Sequence, residues 1–480
     1  MHHESTITEI THARPGGYRE LILIAWPLVL SSGTQSLQHV VDRILLNWFS
    51  QDAMAASLPA GILFWSVLSL PFGTLMYVNA FVAQYEGAGR QDRVLAAIWQ
   101  GVYFALITGF LLMLLAPFSW DLFRWIGHGD SLAVLEAEYF FWLMLGMPAA
   151  LLSAVLSTFY SGRGQTNVVL WVNGSGVLVN IVLDVILIFG WGQIPALGMA
   201  GAAMATSVAS VYATIVYAVL LSLPRVSAAY GTWKNWKFDL DLSSRLLKFG
   251  FPSGLQMFLD VAGFTVFMFV IGWIGTRELA ASNLAFNLNT LAFIPVHGIG
   301  IAVSTLVGQR IGEGKPDIAE KSVWRGFTLA GGYMLFCGLV YIGLPDLLIA
   351  PYGIKAKDPA EFAATRDLVI VLLRFVAFYS FCDAMAIIFG AAIRAAGDTR
   401  FSLMVTVGCS ALLLVLPTFL TWKFYGPDLY LCWIFCCIYV IGMGVCYWAR
   451  FRQGKWKQMS VIEPEAQEAA TQANPHLTTT

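Results

Sequence analysis

The chain contains about twelve apolar stretches that are each long enough to cross a lipid bilayer. A crossing needs roughly 20 consecutive apolar residues in helical form. Only 12% of the residues are charged, about half the usual fraction of a soluble domain, and the mean hydropathy is +0.69. The sequence therefore predicts an all-α polytopic membrane protein that crosses the lipid bilayer many times. The predicted spans are 20–48, 55–85, 94–119, 132–159, 166–191, 197–223, 247–274, 281–309, 321–349, 365–390, 400–423 and 427–449.

Polar segments divide the predicted spans into two sets of six. The longest of these segments lies between Arg225 and Lys248, and the residues after Lys457 include almost no large apolar side chain. Such a composition is typical of disordered chain. The predicted organisation is an N-terminal cytoplasmic tail (1–17), an N-lobe (18–224), a cytoplasmic inter-lobe linker (225–246), a C-lobe (247–450) and a disordered cytoplasmic tail (451–480).

The two halves are copies of one repeat. An offset of 225 positions superposes Pro27–Gly101 on Pro252–Gly326 without a gap, and Gly87 and Gly89 then fall on Gly312 and Gly314. Each copy holds an even number of predicted spans, so both copies have the same orientation in the membrane. Parallel repeats of this kind occur in secondary transporters, whose binding sites lie between the repeats.

The positions of the basic residues predict the orientation of the chain. They concentrate in the polar segments on one side, around Arg90–Arg93, Lys234–Lys248, Arg310–Arg325 and Arg450–Lys457. Because cytoplasmic loops carry an excess of Lys and Arg, we predict that both termini are cytoplasmic and that the protein lies in the cell (inner or plasma) membrane. The net charge of −1 gives no reason to expect a nucleic-acid partner.

Four aspartates lie well inside predicted spans, at least six residues from either end. They are Asp42, Asp184, Asp260 and Asp383. An aspartate at the centre of a span costs roughly 2.5–3.5 kcal/mol on insertion scales, so such residues usually face a cavity, pair with one another, or bind a cation or proton. The alternative is a static polar network that holds helices together. The acids do not follow the repeat, since Asp42 aligns with Phe267 and Asp260 with Gln35.

Several motifs occur along the chain in a specific order and spacing. They are the prolines Pro27 and Pro252, Val82-Ala83-Gln84 before Gly87-Ala88-Gly89-Arg90, Val307-Gly308-Gln309 before Gly312-Glu313-Gly314, Asn180-Ile181-Val182-Leu183-Asp184, and Ala395-Ala396-Gly397-Asp398-Thr399-Arg400. Together these motifs resemble the multidrug and toxic compound extrusion (MATE) family of cation antiporters. The resemblance covers about residues 17–450. It implies two six-helix bundles around a central cavity, and an exchange of Na⁺ or H⁺ for amphipathic, often cationic, organic molecules.

The resemblance also implies two cation sites. Asp42, Asn180 and Asp184 match the family's N-lobe site, while Asp260 and Asp383 match acids of its seventh and tenth helices. The chain departs from the family at Arg43, because a guanidinium next to Asp42 is able to neutralise it. The family also favours a monomer. The resemblance implies no resident cofactor beside the coupling ion, which is Na⁺, H⁺ or both.

The candidate site residues follow from these patterns. We predict a proton or cation site at Asp42, Asn180 and Asp184, and a second cation site at Asp260, Asn287, Tyr379 and Asp383. Carboxylate, amide and hydroxyl oxygens suit a hard cation, so Asp260 and Asp383 are candidate Na⁺ ligands. Polar residues of other predicted spans are candidates for the cavity lining. They are Gln35, Gln38, Asn79, Asn173, Asn283 and His297.

The sequence also bears on three other classes of membrane protein, namely major facilitator carriers, intramembrane proteases and flippases. The segment from Gly87 to Arg93 lacks the loop pattern of major facilitator carriers, and Ala395-Ala396-Gly397-Asp398 lacks the first glycine of an intramembrane aspartyl protease. No His-Glu-x-x-His metalloprotease motif occurs, so we predict that the protein is not an enzyme. A flippase for lipids or lipid-linked oligosaccharides remains the alternative, although its cavity would be expected to be strongly basic.

Overall fold

The computed structural model describes residues 14–127, 129–353 and 359–463, and these residues are almost entirely helical. Their only β-type pairing is one bridge between Trp191 and Ile194. The α-helices are α1 Tyr18–Phe49, α2 Gln51–Met76, α3 Val78–Gly87, α4 Gln91–Met113, α5 Ser119–Ile126, α6 Asp130–Leu145, α7 Met147–Gly162, α8 Thr166–Phe189, α9 Gly198–Ser222, α10 Pro224–Tyr230, α11 Leu240–Ile274, α12 Thr276–Gly312, α13 Pro316–Gly343, α14 Pro345–Gly353, α15 Pro359–Ala396, α16 Thr399–Cys409, α17 Leu416–Phe424 and α18 Leu429–Arg452.

The helices of the described residues reproduce the predicted spans closely. Ten helical segments are long and apolar enough to cross a membrane, and the pair α6–α7, bent by 47°, makes an eleventh. The bend follows from Pro148 at the start of α7, because proline has no N–H to continue the hydrogen-bond ladder. Helix α1, with 32 residues, is the twelfth long segment but is more polar than the others. The predicted all-α, multi-span fold is confirmed.

Each repeat makes a tight turn at an equivalent glycine. Gly89 has a φ of 70° and Gly314 a φ of 72°, which is the left-handed region that glycine adopts without a steric penalty. These residues follow α3 and α12, at positions 225 apart in the sequence. The short Gly-x-Gly segments of the sequence therefore form tight turns between helices.

The described contacts group the chain into two units. Among the described residues, we call one the N-unit, formed by 30–258, 308–314 and 461–463, and the other the C-unit, formed by 14–29, 259–307 and 315–460. Two of the divisions fall within α1 and α11 rather than in the polar linker. The lobe boundaries deduced from the repeat therefore remain a prediction.

Close helix packing in the N-unit positions the polar residues of α8 and α9. A Cβ added to Gly201 would lie 2.5 Å from the carbonyl oxygen of Leu187, so α9 approaches the backbone of α8 at a point where only glycine fits. Apolar side chains pack next to this crossing. Ile188 of α8 and Ala202 of α9 lie in one buried cluster with Leu45 and Leu46 of α1. This packing brings α1, α8 and α9 together at a single level.

A comparable crossing lies in the C-unit. A Cβ on Gly444 of α18 would lie 2.5 Å from the carbonyl oxygen of Cys382, one residue before Asp383 on α15. Gly263 of α11 faces Ser410, where α16 passes into a π-helical segment, Ser410–Val415. Short π-helical segments interrupt regular helices and are frequent at functional sites.

The C-terminal segment differs from its prediction. A disordered tail from residue 451 is wrong for 451–463, because a short 3₁₀ turn, Lys455–Gln458, follows α18 and the Trp456 side chain is buried. Lys457 Nζ also lies 2.9 Å from Asp317 Oδ1 within the C-unit. Sequence composition failed here because a few apolar and charged side chains anchor a mostly polar segment. Residues 464–480 of the predicted tail lie outside the described residues.

Glu463 is the strongest anchor of this segment in the N-unit. Its carboxylate accepts hydrogen bonds from the Tyr85 hydroxyl at 2.9 Å and from Arg93 Nη2 at 2.7 Å. Arg245 Nη1 lies 2.7 Å from the same carboxylate. Burial alone would raise the pKa of Glu463, but hydrogen bonds from its own backbone, Arg93 and Tyr85 outweigh burial and hold this pKa below its ordinary value.

Replacing Glu463 with glutamine is therefore expected to lower the free energy of unfolding at pH 7 by about 1–3 kcal/mol, the usual cost of losing hydrogen bonds to charged groups. Because the folded-state pKa is lowered, the carboxylate stabilises the protein above the unfolded-chain pKa of about 4.3. This contribution is lost as the pH falls through the folded-state pKa. Thermal unfolding in detergent should show the difference from wild type at pH 7, and the difference should shrink below about pH 4. Asp121→Asn, which removes an exposed carboxylate of the same unit, is the control, and equal unfolding of Glu463→Gln and this control at pH 7 would contradict the assignment.

Candidate cation sites

The N-unit brings together the three residues of the predicted first site. Asp42 lies on α1, while Asn180 and Asp184 lie one turn apart on α8. All three side chains are buried. The two carboxyl groups lie within hydrogen-bonding reach of each other. The predicted N-terminal site is thus one compact cluster, although its role remains a prediction.

Asn180 connects the two carboxyl groups. With its amide nitrogen turned towards them, it donates to Asp184 Oδ2 at 3.1 Å and to Asp42 Oδ1 at 3.2 Å. The Asn180 oxygen then accepts from the backbone N–H of Thr206 at 3.2 Å, and the Gln38 side-chain amide lies 3.1 Å from the Asn180 nitrogen. One amide therefore holds both carboxyl groups at a fixed separation.

The sequence interpretation missed two neighbours of this cluster. Thr206 on α9 lies against Asn180, and Tyr139 on α6 is close enough to interact electrostatically with both Asp42 and Asp184. Tyr139 also packs against the apolar cluster of α1, α8 and α9 described above. A threonine and a tyrosine in apolar spans carry no signal of their own, so only the three-dimensional crossing of the helices reveals them.

The other polar candidates of the N-unit lie away from this cluster. Asn173 donates to Ser31 Oγ at 2.9 Å and accepts from the Tyr217 hydroxyl at 3.2 Å. Asn79 accepts from Ser161 Oγ at 2.6 Å. Gln35 is exposed on α1. The two asparagines are engaged in contacts between helices, and a cavity-lining role for all three remains a prediction.

Arg43 follows Asp42 directly on α1 and is close enough to interact electrostatically with it. Its side chain is exposed whereas Asp42 is buried, since successive residues of a helix point about 100° apart. No ion pair joins Arg43 to Asp42 among the salt bridges described for residues 14–463. Arg43 therefore acts on Asp42 through its charge without a described ion pair, and the effect of Arg43 on the proposed cation site remains a prediction.

Replacement of Arg43 by alanine is accordingly expected to keep cation-driven transport within about fivefold of wild type, the change that a difference of about 1 kcal/mol produces. Initial rates in proteoliposomes at matched protein density would measure it. A loss as large as that of an Asp42→Ala variant would mean that Arg43 takes part in the site.

The C-unit holds the acids of the predicted second site. Asp260 lies on α11, and Tyr379 and Asp383 lie one turn apart on α15. Tyr379 is buried and interacts electrostatically with Asp383. Tyr439 of α18, which the sequence interpretation missed, interacts with both Asp260 and Asp383. These two carboxylates therefore share one tyrosine-lined region.

The remaining candidates of the C-unit lie on α12. Asn283, Asn287 and His297 are exposed on this helix, and the His297 ring stacks on Phe293 with centroids 5.9 Å apart. Within the described residues, no three His, Cys, Asp or Glu side chains group as metal ligands. A Na⁺ ion bound here would therefore need amide or hydroxyl oxygens beside Asp260 and Asp383, and such mixed oxygen ligands suit a hard cation.

A comparison with known protein families identifies the family of this chain. The MatE family model matches two segments of this chain, residues 27–186 and 252–420. The chain belongs to the MatE family. The two matches begin 225 residues apart, at Pro27 and Pro252, which confirms the internal repeat. The carboxyl cluster Asp42–Asn180–Asp184 lies in the first MatE segment, and Asp260 and Asp383 lie in the second.

Individual MatE relatives support the same assignment. The chain is 26% identical over 396 residues to a probable multidrug resistance protein NorM of Pasteurella multocida, covering 82% of this chain and 83% of the relative. It is 27% identical over 407 residues to the multidrug resistance protein PmpM of Pseudomonas aeruginosa, covering 81% and 80%. This chain is therefore a multi-pass membrane transporter of a drug-extrusion family.

Solved structures show the same fold. A MOP superfamily transporter of Pyrococcus furiosus superposes with a TM-score of 0.84 at 19% identity, covering 94% of this chain and 98% of that one. A structure described as the outward-facing conformation of a multidrug resistance MATE family transporter gives the same TM-score, identity and coverage. At this identity the similarity establishes the MatE fold of about twelve helices in two repeats.

Proposed function

We propose that this MatE protein is a secondary active antiporter that exports amphipathic, chiefly cationic organic compounds in exchange for Na⁺ or H⁺. The observation that carries the proposal is the buried cluster of Asp42, Asn180 and Asp184. Two carboxyl groups bridged by one amide within a membrane span cannot both carry a charge at low cost. The cluster is stable when it holds a proton or a small cation, and it can release either one.

Exchange follows if the coupling cation and the organic substrate favour different states of the transporter. A ligand shifts a conformational equilibrium only by its differential affinity for the two states. Cation binding at the carboxyl cluster would favour one state of the transporter, and substrate binding would favour the other state. The inward movement of the cation would then drive the outward movement of the organic substrate. Lobe rocking around a central cavity is the motion we propose for this step.

The C-unit supplies a second candidate cation site. Asp260, Tyr379 and Asp383 offer carboxylate and hydroxyl oxygens, and we propose that Asn287 adds an amide oxygen. In this proposal Gln35, Gln38, Asn79, Asn173, Asn283 and His297 provide the polar part of the substrate path. The transporter acts as a monomer in the cell membrane with both termini in the cytoplasm.

Efflux of a fluorescent organic cation from proteoliposomes tests the proposal. An inward Na⁺ gradient and an inward H⁺ gradient are imposed separately, with a potassium gradient of equal size as the control. The proposal expects efflux under at least one of the first two gradients and none under the control. Absence of efflux under both would contradict export of organic cations.

A lipid or lipid-linked oligosaccharide flippase is the second candidate, and one observation favours it. Two guanidinium groups, those of Arg43 on α1 and Arg374 on α15, are exposed within long membrane helices. Arginine pairs readily with phosphate, so these cations suit an anionic headgroup. Under the flippase hypothesis, Arg43→Ala and Arg374→Ala would each slow the translocation of a fluorescent anionic lipid. Under the antiporter proposal, neither would slow efflux of the organic cation.

A further inference from the structure

The polar segment between α10 and α11 presents large aromatic side chains outward. Trp233, Trp236 and Phe238 are 61, 55 and 61% exposed, and Leu240 is 74% exposed. Lys234 and Lys237 alternate with these residues and are also exposed. We call Trp233–Leu240 the aromatic–basic strip. Neither antiport nor the two cation sites uses it.

The backbone of the strip is fixed to α4. Trp99 Nε1 donates to the carbonyl oxygen of Thr232 at 2.9 Å, and Gln100 Nε2 donates to that of Lys237 at 3.2 Å. The Tyr103 hydroxyl donates to the carbonyl oxygen of Trp236. These three donors lie on the central turns of α4, so the strip is held as a defined structure rather than a loose loop.

Two of the residues of α4 that donate these hydrogen bonds also pack against aromatic rings of the strip. Trp99 and Trp233 pack with centroids 5.9 Å apart, and Tyr103 and Phe238 with centroids 6.0 Å apart. Trp233 and Phe238 remain 61% exposed despite these contacts, and Trp236 is 55% exposed. Their exposed parts form an apolar surface that continues into exposed Leu240, Leu247 and Phe251 of the membrane helix α11.

The charges of the strip are incompletely neutralised. Asp239 is paired with Arg93 at 2.8 Å, whereas neither Lys234 nor Lys237 takes part in any salt bridge described for residues 14–463. Two free ammonium groups therefore stand among exposed aromatic rings at the end of a membrane helix. Tryptophan and phenylalanine prefer the depth of the lipid headgroups, and ammonium groups near the surface attract anionic lipids.

Room for an acyl chain lies beside the strip. An apolar groove of about 430 Å³ is lined by Ile215, Ala218, Val219, Ser222, Leu223 and Pro224 at the end of α9. Thr232, the residue directly before the strip, links it to this helix end, because Thr232 Oγ1 donates to the carbonyl oxygen of Leu221 at 2.9 Å.

We propose that the aromatic–basic strip is a binding site for an anionic phospholipid of the adjoining leaflet. Lys234 and Lys237 bind the headgroup phosphate, and the exposed faces of Trp233, Trp236 and Phe238 contact the glycerol and upper acyl region. The site attaches the segment between the two MatE repeats to the membrane surface.

Lipid retention by the purified, delipidated full-length protein tests this proposal. Phosphatidylglycerol or phosphatidylcholine is added in detergent, and bound lipids are counted by native mass spectrometry. At about 1 kcal/mol per basic residue near an anionic surface, the double variant Lys234→Ala/Lys237→Ala should bind phosphatidylglycerol about 30-fold more weakly. Its phosphatidylcholine binding should not change.

Lys321→Ala/Lys455→Ala is the matched control, since both lysines are exposed and lie outside the strip. A second variant, Trp233→Ala/Trp236→Ala, should also weaken phosphatidylglycerol binding, and inorganic phosphate should not displace the bound lipid. Equal losses in the control, equal retention of both lipids by wild type, or displacement by inorganic phosphate would each overturn the proposal. Transport assays do not enter this test, so its outcome is independent of the proposed antiport.

Discussion

Replacing Asp184 with asparagine is expected to abolish cation-driven efflux while leaving the protein folded. Asparagine keeps the shape of the side chain and can still accept a hydrogen bond through its amide oxygen, but it cannot take up or release a proton or offer a carboxylate to Na⁺. A coupling free energy of about 1–3 kcal/mol between the coupling cation and the organic substrate corresponds to a decrease of up to ~100-fold in the exchange rate when the coupling is lost. Because the substitution removes a buried ionisable group, the melting temperature should not fall. Initial efflux rates and thermal unfolding of the same preparation measure both effects.

Asp121→Asn is the control for this prediction. Asp121 is exposed at the start of α5, so the variant removes an equal charge from the N-unit without touching the carboxyl cluster. It should transport at the wild-type rate. Wild-type efflux in Asp184→Asn under the same gradient would show that the cluster of Asp42, Asn180 and Asp184 is only a structural contact between α1 and α8.

Loss of Na⁺-dependent stabilisation is the expected result of replacing Asp383 with asparagine. A ligand that binds only the folded state at 100 times its dissociation constant stabilises it by about 2.7 kcal/mol. Wild type should therefore unfold at a higher temperature in NaCl than in choline chloride of equal concentration. Asp383→Asn should lose most of this difference, because the ion would retain only Asp260 as a carboxylate ligand beside the neutral oxygens.

Asp367→Asn provides the comparison within α15. The Asp367 side chain is 73% exposed and pairs with Arg366, far along the helix from Tyr379 and Asp383. Its Na⁺ response should equal that of wild type. If choline and Na⁺ stabilise wild type equally, or if Asp383→Asn keeps the full Na⁺ response, the acids of the C-unit hold helices together and bind no metal ion.

The fold was predictable from the sequence because membrane burial leaves a strong and simple pattern. Long apolar stretches can satisfy their backbone hydrogen bonds in lipid only as helices, so the predicted span 166–191 closely matches α8, Thr166–Phe189. The repeat beginning at Pro27 and Pro252 was visible for a similar reason, since it runs without a gap. Acids within apolar spans are so costly that Asp42 and Asp184 stood out as partners.

The neighbours of these acids were not predictable. Thr206 and Tyr139 reach the carboxyl cluster only because α9 crosses α8 at Gly201 and α6 packs beside them, and helix crossings leave little trace in the sequence. Tyr439 was missed for the same reason at the C-unit site. The anchored segment up to Glu463 was mispredicted because its stability comes from a few distant partners, chiefly Arg93 and Arg245, rather than from its composition.

The most direct test of the antiport is to run the exchange backwards in proteoliposomes without any imposed ion gradient. An inward gradient of the organic cation should drive Na⁺ or H⁺ out of the vesicles, detected by an ion-sensitive dye, because thermodynamic coupling between two ligands is reciprocal. We predict outward ion movement in wild type and none in Asp184→Asn. Ion movement in the same direction as the organic cation, or none at all in wild type, would contradict the proposed exchange.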